Sequence, residues 1–343
     1  DWYFRGTEDF RYITGRTIFV KILYVAAVFL FIRRAEDYPI YYLLTVLMLV
    51  GNALINLFYA RRSVSLTLKG LTPSHYLKPF LMLGMYMVLT SLYVTLNVTY
   101  LGFVAGDEQV GYYSTASKLY GIVIAFFSAF TGVMLPRMSS LVSENRMEEF
   151  RRMIDKTFDI LVTFAIPLVI FACVCAPEIV RIFAGSGYEG AYLPARIMMP
   201  LILVVGLEQV FVIQILMPNK RDRSIFLNSC AGAAMGILLN LLLVRRLQAV
   251  GSAIVWLSCE LTVLILASRF SRTGDGIAFP WRKLGTGVLA YLPVAVICVL
   301  LYGLISDSWI RMGVITVLVG GYTAVYVLFI KKDETVLSLF HHR

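Results

Sequence analysis

Five ionisable side chains of this chain lie inside strongly apolar stretches: Lys21, Lys118, Asp159, Glu208 and Glu260. A charge there is expensive and normally faces a cavity or a partner. Lys21 and Asp159 lie near the ends of their stretches, from which a side chain reaches the interface by snorkelling. Lys118 sits in the outer third of its stretch, within STASKLYG. Glu208 and Glu260 lie deep inside theirs, where water is hard to reach. A buried carboxylate of this kind can take up and release a proton or a cation. It can equally serve as a hydrogen-bonded structural group. Amides and hydroxyls accompany them: Asn52, Asn56, Asn97, Asn228, Asn240, Gln209 and Gln214, with Tyr112, Tyr113 and Tyr120 clustered on one stretch. Interhelical bonds from such groups are worth about 0.6–2 kcal/mol, so most act as packing glue. In this number they also describe a hydrated interior cavity.

The elements that carry these groups follow from hydropathy. Of 343 residues, 59% are hydrophobic and only 15% charged, and the mean hydropathy is +0.77. That excludes a soluble globular enzyme. The apolar residues also run the whole length, which excludes a single membrane anchor. Ten segments stand out, near 18–32, 38–59, 79–105, 110–135, 157–176, 193–217, 224–244, 250–268, 285–305 and 309–330. Their lengths suit membrane helices of ~20 residues rather than barrel strands of ~10. The predicted fold is therefore all-α, a polytopic membrane bundle. Pro136 closes the fourth segment, while Pro167, Pro200 and Pro293 fall inside segments and permit bending. Gly232 and Gly236 match the small-xxx-small contact pattern.

The net charge of +10 is mostly a topology signal. With ten spans, 22 of the 31 Lys and Arg fall on the side of the N-terminal tail and seven on the other. The positive-inside rule then places both termini in the cytoplasm. Nucleic acid is not an expected partner. Two connectors on the Lys/Arg-rich side are long. Residues 142–156 place Val142, Met147, Phe150, Met153 and Ile154 at helical spacing, the pattern of an interfacial amphipathic helix. Residues 61–78 are basic. Both also read as solvated connectors.

Catalytic and metal chemistry find no support. Cys173, Cys175, Cys230, Cys259 and Cys298 lie in apolar runs without ligand spacing, and His75, His341 and His342 are too scattered for a metal site. No Walker loop, GxSxG or HExxH motif occurs. The longest outer connector, near 177–192, is short. No cofactor is called for. A transporter driven by an ion gradient is the class these residues favour. The chain starts at Asp1 without a signal peptide, which reads as a processed chain or a piece of a longer one.

Several blocks carry a family resemblance. The opening DWYFRGTEDFRYIT, the VGYYSTASKL stretch at 110–119, LPRMS at 135–139, QILMPNK at 214–220 and GSAI at 251–254 followed by Glu260 resemble, in order, Wzx-type oligosaccharide (O-antigen) flippases. These belong to the multidrug/oligosaccharidyl-lipid/polysaccharide (MOP) exporter superfamily. The resemblance implies that the opening block follows a fourth helix. The ten spans would then be helices five to fourteen of a two-lobe transporter. Residues 1–78 would be the remainder of the N-terminal lobe, 79–270 a six-helix C-terminal lobe, and 271–343 an accessory helix pair with a cytoplasmic tail.

The resemblance also implies a function without catalysis. It is translocation of a polyprenyl-diphosphate-linked oligosaccharide across a bacterial or archaeal plasma (inner) membrane by alternating access. Cations in the cavity would ease passage of the diphosphate, whose desolvation is costly. Lys21, Lys118 and Arg196 are the candidates, Arg196 being equally a boundary residue. Gln214 and Glu260 are fixed by motif position. Glu208 or Glu260 would carry a coupling proton or sodium ion. Membrane lipids, a polysaccharide polymerase and chain-length machinery are the implied partners. Two alternatives stay open: a multidrug or cation antiporter of the same superfamily, with a more acidic, aromatic cavity, and a membrane polysaccharide polymerase.

Overall fold

The computed structural model describes residues 2–7, 9–61 and 73–331. Most of the basic 61–78 connector and the tail beyond Lys331 lie outside the described residues. The described backbone is helical, with no strand, and falls into two compact units, Asp1–Pro73 and Ser74–Arg343.

The first unit holds a short helix α1 (Trp2–Gly6) and two long ones, α2 (Phe10–Phe31) and α3 (Tyr38–Ala60). Asp9 caps α2 by accepting from the Tyr12 N–H. An aromatic knot closes one end: the Tyr12 and Tyr59 rings stack at 3.9 Å, with Phe4 4.6 Å from Tyr12. Beside it the buried Arg16 donates to the Asn56 side-chain oxygen. The turn between α2 and α3 is tied by Asp37, whose carboxylate accepts from the Arg33 and Arg34 N–H groups at 2.9 Å each. Those donors hold the Asp37 carboxyl below the usual carboxylate range.

The second unit contains α4 (Pro73–Ala105), α5 (Asp107–Ser143), α6 (Met147–Val174), α7 (Ala176–Ala184), α8 (Tyr192–Met198), α9 (Leu201–Gln209), α10 (Asp222–Leu239), α11 (Arg245–Asp275), α12 (Trp281–Leu304) and α13 (Ser308–Val325). Two π-helical stretches, Val210–Leu216 and Asn240–Val244, follow α9 and α10. Such stretches widen a helix and recur at functional sites. The main core gathers Leu101, Tyr113, Met138, Phe150, Met198 and Phe211 with their neighbours on α4 to α11.

The chain is a multi-pass membrane protein. Among the described residues eight helices are long and apolar enough to cross a bilayer. The expectation of ten differs by two segments. The 54-residue stretch Asp222–Asp275 holds two expected spans, divided at Gln248, where φ is 51°. In addition, α4 covers the third expected span over 33 residues. Past the break, Gly251 sits where an added Cβ would lie 2.9 Å from the Leu243 carbonyl oxygen, so a small residue is needed for α10 and α11 to turn back on each other.

Two expectations are corrected. Pro136 does not close its span: α5 continues through it to Ser143, because one lost backbone bond is tolerated inside a packed membrane helix. Residues 142–156 form no separate interfacial helix. Only Glu144–Arg146 link α5 to α6, and Phe150 and Ile154 are buried in the core rather than facing lipid.

The last two helices are pinned to the rest of this unit. Gly287 of α12 lets it approach α6 so closely that a Cβ would lie 2.6 Å from Val162 and 2.8 Å from Ile166. Tyr291 of α12 donates to the Thr163 carbonyl at 3.3 Å. Cys175, Val294, Cys298, Ile315 and Val319 pack as one apolar cluster, and all five cysteines are free thiols.

Candidate functional site

The site is assembled on four helices of the second unit. On α11, Ser252, Trp256 and Glu260 recur every four residues and so share one buried face. On α5, Tyr113 and Tyr120 are seven residues apart, again on one face, with Ala116 leaving room between them. The Trp256 indole packs edge-on to Tyr120 at 5.1 Å and lies 6.3 Å from Tyr113. Its N–H donates to a Glu260 carboxylate oxygen at 3.0 Å. Asn97 of α4, fully buried, donates from its amide to the Tyr113 hydroxyl at 3.1 Å and to the Ser252 carbonyl at 2.9 Å. Three helices are thereby stitched by one amide.

Glu208 joins from α9. It is 9% exposed and Glu260 is 7% exposed, and the two carboxyl groups lie close enough to act on each other and on the Tyr120 hydroxyl. Two acidic groups thus share an apolar interior with three aromatic rings. Next to Glu208, Gln209 donates to the Ser128 hydroxyl at 2.9 Å.

Gln214 lies further on, in the π-helical stretch, and is fully buried. Neither atom of its amide finds a hydrogen-bond partner among the described residues. The same holds for the Asn228 oxygen and the Ser252 hydroxyl. Buried polar groups are nearly always satisfied, so each such atom has a demand for a partner. The arrangement offers carboxylate, amide and hydroxyl groups to a small cation, a proton or a polyhydroxylated molecule.

The expected site residues divide accordingly. Glu208 and Glu260 come together. Gln214 is buried in the stretch that continues the Glu208 helix. The cations take other positions. Lys118 is exposed on the face of α5 opposite Tyr113, Ala116 and Tyr120, and forms no ion pair among the described residues. Arg196 of α8 is also exposed. It donates to the Cys173 carbonyl at 3.2 Å and lies 5.7 Å from the Tyr302 ring. Lys21 belongs to the first unit, exposed on α2.

Sequence reasoning missed the ion pairs that tie α12 and α13 to the rest of the unit. Glu178 of α7 and Arg311 of α13 form a bridge whose side chains are 4% and 12% exposed. Arg311 also donates to the Ile305 carbonyl at 3.0 Å and sits 4.1 Å from the Tyr302 ring. At the other end, Lys283 of α12 binds Asp159 at 2.5 Å and Asp155 at 2.8 Å. Asp159, expected near a span end, instead lies well inside α6, and Lys283 from the first turn of α12 meets it there. Arg311 and Lys283 counted only as topology charges in the sequence. No signal within one segment predicts a partner more than a hundred residues away.

A polytopic helical membrane protein with a polar, doubly acidic interior is the class that this fold and site define. Comparison with known proteins makes it specific. The model of the family described as "Polysaccharide biosynthesis protein" matches residues 8–193, more than half of the chain, and the chain belongs to that family. It is also 24% identical over 280 residues to a protein of Escherichia coli (strain K12) described as "Putative O-antigen transporter". That match covers 79% of this chain and 66% of the relative. No solved structure matches. The resemblance read from the five motif blocks agrees with both findings.

Proposed function

We propose that this protein carries a polyprenyl-diphosphate-linked oligosaccharide across a bacterial or archaeal plasma (inner) membrane, for the assembly of surface polysaccharide. Its termini lie in the cytoplasm, the side on which Lys and Arg are in excess. The single observation that carries the reading is the Glu208–Glu260 pair, buried with Tyr120 and Trp256 inside a bundle of this family.

The physical problem is the saccharide and diphosphate, which hydrocarbon cannot solvate. Buried amides and hydroxyls such as Gln214 and Asn228 offer the hydrogen bonds that water otherwise supplies. Lys118 and Lys21 remain the candidate partners of the diphosphate. Arg196 fastens α8 to the α6 and α12 ends through its Nε and its face on Tyr302, and its two terminal nitrogens remain available to an anion.

The carboxyl pair is the proposed coupling element. Two acids in one apolar pocket hold a proton or a sodium ion between them far more readily than they hold two bare charges. Loading from one side of the membrane and release on the other would then bias the alternating-access cycle. A polysaccharide polymerase and chain-length machinery would be the partners that consume the product.

The test is complementation of a surface-polysaccharide flippase mutant by the gene for this protein. Glu260→Gln or Lys118→Ala at unchanged protein level is expected to abolish polysaccharide export. Normal export with both substitutions would contradict the assignment. Drug or cation efflux without polysaccharide export would favour the antiporter reading.

A further inference from the structure

A cavity lies where α6, α12 and the segment between α11 and α12 meet, at the Lys/Arg-rich end of the second unit. Its volume is ≈ 650 Å³. It is basic at its rim and apolar at its floor. Arg151, Arg152 and Arg282 supply the rim, and Phe158, Ile277 and Phe279 supply the floor.

The charge balance is one-sided. Asp155, the one carboxylate lining the cavity, is already bound to Lys283, which also takes Asp159. Arg151, Arg152 and Arg282 are exposed and enter no ion pair among the described residues. The Arg151 guanidinium is held over Gly276, where α11 ends in a left-handed residue with φ 72°, and an added Cβ would lie 3.5 Å from it. So one cation of the rim lies against the α11 terminus. Trp281, which begins the membrane helix α12, is 73% exposed at the mouth. An exposed tryptophan at the first residue of a span marks headgroup depth.

We propose that this cavity is a binding site for an anionic phospholipid of the leaflet facing the Lys/Arg-rich side. The phosphate lies among the three arginines, and the glycerol backbone and chains lie along Trp281 and Phe279. The charge complementarity, the apolar floor and the depth each match one part of such a lipid. A water-soluble phosphate compound would match only the rim. Basic pockets between membrane helices are a general solution to anionic headgroup binding. An occupied site would bridge α6 and α12 beside the Lys283 bond and so fasten the last two helices to the rest of the unit. The inference depends only on membrane embedding and is independent of the transported substrate.

Native mass spectrometry of the full chain, titrated with phosphatidylglycerol or phosphatidylcholine, tests it. The wild type is expected to retain one phosphatidylglycerol in preference to phosphatidylcholine. Arg151→Gln/Arg152→Gln/Arg282→Gln is expected to weaken that retention by about tenfold or more, since each basic group near a headgroup contributes about 1 kcal/mol. Arg152→Gln/Arg282→Gln leaves the α11 terminus untouched and is expected to lose most of the preference while unfolding at the wild-type temperature. Arg245→Gln/Arg246→Gln removes two exposed charges elsewhere and is expected to keep it. Equal loss in the two double variants would overturn the site, as would full retention in the triple variant. Displacement of phosphatidylglycerol by inorganic diphosphate would assign the site to soluble phosphates and overturn the lipid proposal.

Discussion

Removing one partner of the Glu178–Arg311 bridge is expected to release α13 from α7. The bridge is nearly dry, at 4% and 12% side-chain exposure, and one Glu178 oxygen has no other partner among the described residues. Breaking a buried pair by deleting one side costs on the order of 3–5 kcal/mol, because the remaining charge is left uncompensated. Replacing both partners by apolar groups of similar size is close to neutral. The cluster beneath, with Cys298 at 0% exposure between Val294 and Ile315, supplies the readout. A thiol reagent reaches Cys298 only when this cluster opens. With Cys298 as the sole cysteine, Glu178→Gln or Arg311→Met should accelerate labelling by roughly 10²- to 4 × 10³-fold, the factor that 3–5 kcal/mol implies. Glu178→Leu/Arg311→Met should label within a few-fold of the wild type. Labelling that rises as much in the double variant as in the single ones would refute the idea of a latch. Labelling that does not rise in any of them would refute it too.

Other outcomes follow from the same contacts. Gly287→Leu should lower stability by about 1–3 kcal/mol through overpacking against Val162 and Ile166, whereas Gly285→Leu, with open space around it, should be nearly silent; unfolding midpoints in detergent compare the two. Trp256→Phe removes the N–H that binds Glu260 and should cost about 1–3 kcal/mol, read as a lower midpoint with helix content unchanged. Asp37 has a folded-state pKa below its unfolded one, so its support of the α2–α3 turn is complete above the usual carboxylate range and is lost as pH falls through the folded value. Amide exchange at Arg33 and Arg34, corrected for intrinsic rate, should therefore rise only at that low pH, and at all pH values in Asp37→Asn.

The spans were legible because a bilayer demands about 20 apolar residues of a helix, and hydropathy records that demand directly. Glu208 and Glu260 were legible for the complementary reason: an acid deep in an apolar run is conspicuous. Their proximity was not, since it depends on how α9 and α11 rotate against each other. The Trp256–Glu260 bond had a signal, the spacing of four residues, that sequence reasoning left unused. Pro136 misled because in a water-exposed helix it ends the run, while packed membrane helices absorb it. Residues 142–156 misled because amphipathic spacing reports an apolar face without saying whether lipid or protein covers it. Here Phe150 and Ile154 turn into the core. Lys118 shows a further limit: hydropathy places it in an apolar helix, and only the rotation of α5 shows which face it takes, the exposed one.

The proposed role of the acidic pair is open to one direct measurement. The protein is reconstituted into vesicles with a fluorescent, short-chain polyprenyl-diphosphate saccharide, and transfer between leaflets is followed by quenching from outside. Wild-type vesicles should equilibrate the probe well ahead of protein-free ones, and Glu208→Gln/Glu260→Gln vesicles, matched for protein, should fall to the protein-free rate. Transfer by the double variant at the wild-type rate would contradict the account.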